Sequence, residues 1–112
     1  MADVVILAGS TGKNLDLANT FQTTLLNLGH QGHVIDVCNL DIPLYTPERD
    51  KSIGQIPDVI KVMKHIIECN ALIVCAPEYN GLIPAALTNL INWLSVQSDD
   101  FRMLFNRKTV GL

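Results

Sequence analysis

The sequence predicts an α/β fold, a doubly wound parallel sheet in a single domain over residues 1–112. Three observations carry that expectation. Two short apolar runs rich in β-branched residues, DVVILA at residues 3–8 and ALIVCA at 71–76, have the size of strands buried on both faces. Around them, apolar residues recur at three- and four-residue steps, as on one face of a helix. Strand and helix alternate along the chain, and parallel strands joined in this way need right-handed crossovers.

The elements follow in order. After the strand at 3–8 comes a small, polar stretch, Gly9-Ser10-Thr11-Gly12-Lys13-Asn14. Leu17, Ala18, Phe21, Leu25 and Leu28 then mark a helix face, with Gly29 and Gly32 bracketing its end. Val34, Ile35 and Val37 give a second strand. From Cys38 to Gln55 no periodicity is visible, and Pro43, Pro47 and the charged run 48–51 mark a long loop. Pro57 suits the start of a helix whose apolar positions are Ile60, Met63, Ile66 and Ile67. Pro77 ends the strand at 71–76. Pro84 fits the first turn of the next helix, and Leu87, Leu90, Ile91 and Leu94 form its apolar face. Residues 95–107 are irregular, and KTVGL at 108–112 reads as the opening of a fourth strand.

Composition excludes several function classes. With 48% apolar and 17% charged residues the chain is core-rich. A net charge of -3 and a pI near 5.4 argue against a nucleic acid partner, which needs a basic face. No apolar run approaches the ~20 residues that cross a bilayer, and the N-terminus lacks the basic start of a signal peptide. Cys38, Cys69 and Cys75 form no CxxC pair and are read as small buried hydrophobes of a protein of the reducing cytoplasm. His30 and His33 lack a third ligand or a nearby carboxylate, so no metal is expected; His65 is read as a surface residue.

In open parallel sheets, ligands bind at the carboxyl ends of the strands. Two loops there carry chemistry. Successive backbone N–H groups before the first helix, with the helix dipole, form an anion site, to which Ser10, Thr11, Gly12, Lys13, Asn14 and Leu15 contribute. The same residues also read as a plain turn with an N-cap. GxGxxG is absent, and GSTGKN lacks the spacing of a nucleotide-triphosphate loop. The second loop, Pro77-Glu78-Tyr79-Asn80-Gly81, joins an aromatic, a carboxylate, an amide and a glycine in one turn. Its bland reading is that Glu78 caps the following helix and Tyr79 packs on a neighbour.

PEYNG, followed by a proline and then LTNLINWLS, resembles the flavin-binding loop and next helix of the NAD(P)H-dependent FMN reductases, flavodoxin-like flavin and quinone reductases. The likeness is close over residues 76–95, with Leu82 where a serine is usual. The family's first loop usually reads GSxRxxSxN. This chain keeps Gly9 and Ser10 but has Gly12, Leu15 and Leu17 at the other three positions, closer to the GSTTGNT type of flavodoxins.

The resemblance implies a flavodoxin-like strand order, 2-1-3-4, with the fifth strand and last helices absent, as in a truncated or partial chain. An apolar face around Val74 and Val110, beside the first helix, is then expected to lie open. It implies FMN as cofactor, its phosphate in the first loop and its ring against residues 77–81, with NAD(P)H as co-substrate. It also implies a small acceptor such as a quinone or flavin, and a homodimer or tetramer. Hydride transfer between nicotinamide and flavin belongs to the cofactors, so no catalytic acid or nucleophile is assigned. Tyr45 lies in a segment resembling the family's LDIPLY, read either as part of a substrate mouth or as a packed anchor. Trp93 is read as core or interface. A flavodoxin-type electron carrier and an inert fragment are the alternatives.

Overall fold

The computed structural model describes residues 1–78, 80–97 and 109–111. Four parallel strands, β1 (Asp3–Ala8), β2 (Gln31–Asp36), β3 (Ala71–Cys75) and β4 (Thr109–Gly111), form one sheet in the order β2-β1-β3-β4. Among the described residues four α-helices connect or flank them, α1 (Lys13–Asn27), α2 (Pro47–Ile53), α3 (Pro57–Glu68) and α4 (Ala85–Val96), with a 3-10 turn at Val37–Asn39 after β2. The order expected from the sequence is the order observed.

Alternation along β1 divides the core. Val4, Ile6 and Ala8 face α1 and pack with Ala18 and Cys75, while Val5 and Leu7 face α3 and α4. Both faces of β1 are closed from Val4 to Ala8, and the one polar position, Asp3, stands exposed at its start. The α3–α4 side is the larger core, holding Val59, Val62 and Ile66 of α3 with Leu87, Leu90, Trp93 and Leu94 of α4. Each such side chain, fully withdrawn from water, contributes roughly 1.5–3 kcal/mol.

Three sequence readings shift. The stretch read as structureless contains α2, started by Thr46, whose hydroxyl accepts from the Arg49 N–H at 3.1 Å, with Pro47 in the first turn. In α3 the fully buried positions are Val59, Val62 and Ile66; Ile60, Met63 and Ile67 are only half-buried. The helix is rotated by about one residue from the expected face, because branched apolar residues occur on both flanks. On α1, Ala18 is buried, whereas Leu17 and Phe21 are exposed and Leu28 lies beyond the helix, 68% exposed.

The loop between β2 and α2 is fastened to α4. The Pro43 carbonyl accepts from Trp93 Nε1 at 2.8 Å and from Asn89 Nδ2 at 3.0 Å, and Asn89 Oδ1 accepts from the Tyr45 N–H at 2.7 Å. Trp93 is thus core, and Tyr45 is a packed loop anchor. Proline's carbonyl can accept but its nitrogen cannot donate, which suits this one-way bonding.

Candidate functional site

The two loops picked out in the sequence leave neighbouring strands. Ala8 and Cys75 are opposite one another in register, and the Gly9 N–H donates to the Cys75 carbonyl at 2.8 Å. A Cβ added at Gly9 would lie 3.0 Å from Ala76 Cβ, so only glycine lets the two loop origins approach this closely. Ser10 and Pro77 therefore start from one point on the sheet rim.

In the first loop, Gly12 is the N-cap of α1, with φ 72° and ψ -129°, and no side chain caps the helix. Lys13, Asn14 and Leu15 form the first helical turn rather than the loop, so their N–H groups, free of intrahelical partners, point out of the helix end. Ser10 Oγ accepts from Asn14 Nδ2 at 3.1 Å and donates to the Thr11 carbonyl at 3.2 Å, which fixes the hydroxyl over that end. Thr11 and Lys13 are exposed, whereas Leu15 packs into the α1-side core and offers the rim its backbone alone. Donors, a helix positive end and one exposed cation are what a phosphate monoester needs.

In the second loop, Pro77 is half-buried and Glu78 exposed. Tyr79 lies outside the described residues, so its reading as a ring contact rests on the sequence. Asn80 has φ 54° and Gly81 φ 77°, two successive left-handed residues that turn the chain sharply. Asparagine tolerates this conformation and glycine enters it freely. No side chain caps α4, whose N-cap is Pro84, so Glu78 does not serve as the cap that its bland reading required. Pro84 stands just before the helix rather than within its first turn.

Beside this loop opens an apolar groove of about 730 Å³, floored by Leu7, Leu72 and Val74 and walled by Leu82, Ile83 and Ile91. Val74 and Val110 do line it, and Val110 is 49% exposed. It lies on the α4 side of the sheet, since Val110 pairs with Leu72, and not beside α1 as expected. Leu82 and Ile83, 69% and 57% exposed, were not singled out from the sequence as site residues. The signal available was their apolar character between Gly81 and Pro84, where a turn is ordinarily polar.

The cysteines carry no disulfide: Cys69 and Cys75 are buried, and burial pushes the Cys75 thiol up. Cys38 departs from its expected burial; it is exposed, its thiol 3.7 Å from the Gly9 carbonyl at the edge of the first loop. Among the described residues no cluster of His, Cys, Asp and Glu could hold a metal, and no helix is long and apolar enough to cross a membrane.

Comparison with known proteins bears on the family and the fold. Residues 2–112 match the family described as NADPH-dependent FMN reductase. Quinone reductases from Escherichia coli K12 and Shigella flexneri are 34% identical over 55 residues, a match covering 49% of this chain and 29% of theirs. The flavoenzyme NAD(P)H:(acceptor) oxidoreductase from Paracoccus denitrificans superposes with a TM-score of 0.70 at 20% identity, over 98% of this chain and 58% of that one. NAD(P)H:quinone oxidoreductase from Methanothermobacter marburgensis gives 0.64 at 23% identity, over 84% and 53%. The match thus spans less than a third of the curated relatives' length, and the structural likeness speaks for a flavodoxin-like fold. The chain belongs to the NADPH-dependent FMN reductase family.

Proposed function

We propose that this chain binds FMN at the two adjoining loops and serves an NAD(P)H-dependent reductase that passes hydride through the flavin to a small acceptor such as a quinone or flavin. The observation that supports this reading is the 2.8 Å bond between the Gly9 N–H and the Cys75 carbonyl, which sets the two loops side by side.

The residues present fit the nucleotide. The uncapped end of α1, with Ser10, Thr11, Gly12, Lys13, Asn14 and Leu15, would hold the phosphate through backbone N–H groups, one lysine and the Ser10 hydroxyl once its proton turns from the Thr11 carbonyl. Pro77, Glu78, Tyr79, Asn80 and Gly81 would position the ring, the left-handed turn at Asn80 and Gly81 exposing backbone polar groups to its edge. Bound flavin supplies the acceptance and donation of hydride. The chain's own work is placement and the exclusion of water: the apolar surface of Leu82, Ile83 and Val74 beside the ring loop favours an uncharged, planar acceptor over a charged one. No side chain is assigned as a proton donor.

The absence of disulfides supports a reducing compartment, and the cytoplasm is proposed. The exposed apolar residues around the groove support a homodimer or tetramer.

The test is a flavin titration followed by fluorescence quenching. Wild type is expected to bind FMN and Ser10→Glu to lose it, since a carboxylate at the cradle repels the phosphate. Stoichiometric FMN on Ser10→Glu overturns the assignment of the first loop. Bleaching of the bound flavin by NADPH separates a reductase from an electron carrier of flavodoxin type, and a chain that never binds flavin is the inert alternative.

A further inference from the structure

We propose that His33 and His65 form a pH-sensitive latch between β2 and α3, closed while both imidazoles are neutral and released on acidification. Neither residue belongs to the flavin site, and this inference does not depend on that reading.

The rings stack with centroids 4.0 Å apart and planes inclined by 22°. His33 lies on β2, an edge strand, opposite Val5 of β1; His65 lies near the end of α3. Two surface cavities, of about 210 and 250 Å³, are each lined by both histidines, so the stacked pair is the partition between them. Neutral imidazoles stack favourably; two imidazolium rings at this separation repel.

The carboxylates around the pair favour protonation and so oppose release, but the net effect on His33 is a lowering. Asp3 and Glu68 line the first cavity with Cys69, and Asp36, Asp58 and Lys61 line the second. Two of the carboxylates already have donors: Asp36 Oδ2 accepts from Asn39 Nδ2 at 2.8 Å, and Asp58 Oδ2 from the Asp41 N–H at 2.7 Å. The Cys69 thiol donates to the Ile66 carbonyl at 3.0 Å. Burial, and then the charge of His65, hold His33 below the ordinary histidine value of 6.5.

With its folded value depressed, His33 takes up a proton first in the unfolded chain. The stability it contributes is complete above about pH 6.5 and is lost as pH falls below it. Release is local. Val59, Val62 and Ile66 keep the other flank of α3 buried, so the opening is confined to the exposed His65 flank of its last turn and joins the two cavities into one groove.

The experiment follows imidazole titration by NMR, with denaturant unfolding and amide exchange at pH 7.5 and pH 5, in wild type and in His65→Phe, which keeps a ring but loses the charge. In wild type His33 is expected to titrate below 6.5, and the folded-to-unfolded ratio to fall about tenfold for each unit of depression. Amides at the end of α3 should open several-fold more often at the lower pH, after correction for intrinsic rates. His65→Phe should raise the His33 midpoint and flatten both dependences. His65→Gln serves where the phenylalanine variant does not fold. His30, whose Nδ1 accepts from the Ala2 N–H at 3.0 Å, is present in every variant. An unchanged His33 midpoint, or the full pH dependence surviving without His65, overturns the latch.

Discussion

Tyr45 meets Trp93 edge to face, ring centroids 5.0 Å apart and planes at 89°, and through this contact the loop after β2 is clamped onto α4. The indole N–H reaches past the tyrosine to the Pro43 carbonyl. Since α4 follows directly from the ring loop, the clamp also holds the base of the candidate site.

Trp93→Phe keeps most of the buried volume but leaves the Pro43 carbonyl with Asn89 alone. A loss of about 1–3 kcal/mol in urea unfolding is expected, with faster proteolysis between Pro43 and Pro47. Unchanged stability and unchanged cleavage would show that the bond contributes nothing.

Gly9→Ala places a Cβ 3.0 Å from Ala76 Cβ, and a cost of roughly 1–3 kcal/mol is expected together with weaker FMN binding. Ala76→Gly in the same chain should return much of both. A double variant as impaired as the single one would show that the close approach is not what excludes a side chain at Gly9.

Gly81→Ala must hold an L side chain at φ 77° and is expected to destabilise the ring loop by about 1–2 kcal/mol. Asn80→Gly, at φ 54°, should cost little in stability, because glycine adopts that conformation without strain. Thermal unfolding of the two variants in parallel checks the pair, and equal losses would argue against the turn geometry.

Thiol chemistry should divide the cysteines. Cys38 is exposed and should react quickly with an aromatic disulfide reagent at pH 8, while buried Cys69 and Cys75 should react only on unfolding. The Cys75 thiol, raised by burial above its ordinary 9.0, ionises first in the unfolded chain, so its contribution to stability is lost as pH rises above about 9. Fast labelling of all three in the folded protein would contradict the burial.

The strands were legible because Val4 to Ala8 and Ala71 to Cys75 are short apolar runs whose residues are buried or half-buried on both faces of the sheet. The parallel order followed from the alternation of elements and from the resemblance. Helix faces were harder. In α3, Val59 and Ile60, Val62 and Met63, and Ile66 and Ile67 are adjacent apolar pairs, and the tertiary packing of the shared core, not the sequence period, decides which member turns inward. α2 was missed because its signal is a cap, Thr46 before Pro47, with no apolar period behind it. At the site, the loops and the glycines that shape them were visible in the residues. The adjacency of Gly9 and Ala76 was not, being a property of the β1–β3 register, and the stacking of His33 on His65 joins residues from separate elements.

Because a main-chain bond from Gly9 to Cys75 joins the roots of the two loops, their spacing is set by backbone once Gly9 and Ala76 stay small, and not by the side chains at the loop tips. Descendants of this scaffold could therefore exchange the tips of either loop, and with them the choice of reaction partner, while the span between tail and ring stays constant. A ruler made of backbone survives drift that a ruler made of side chains would not.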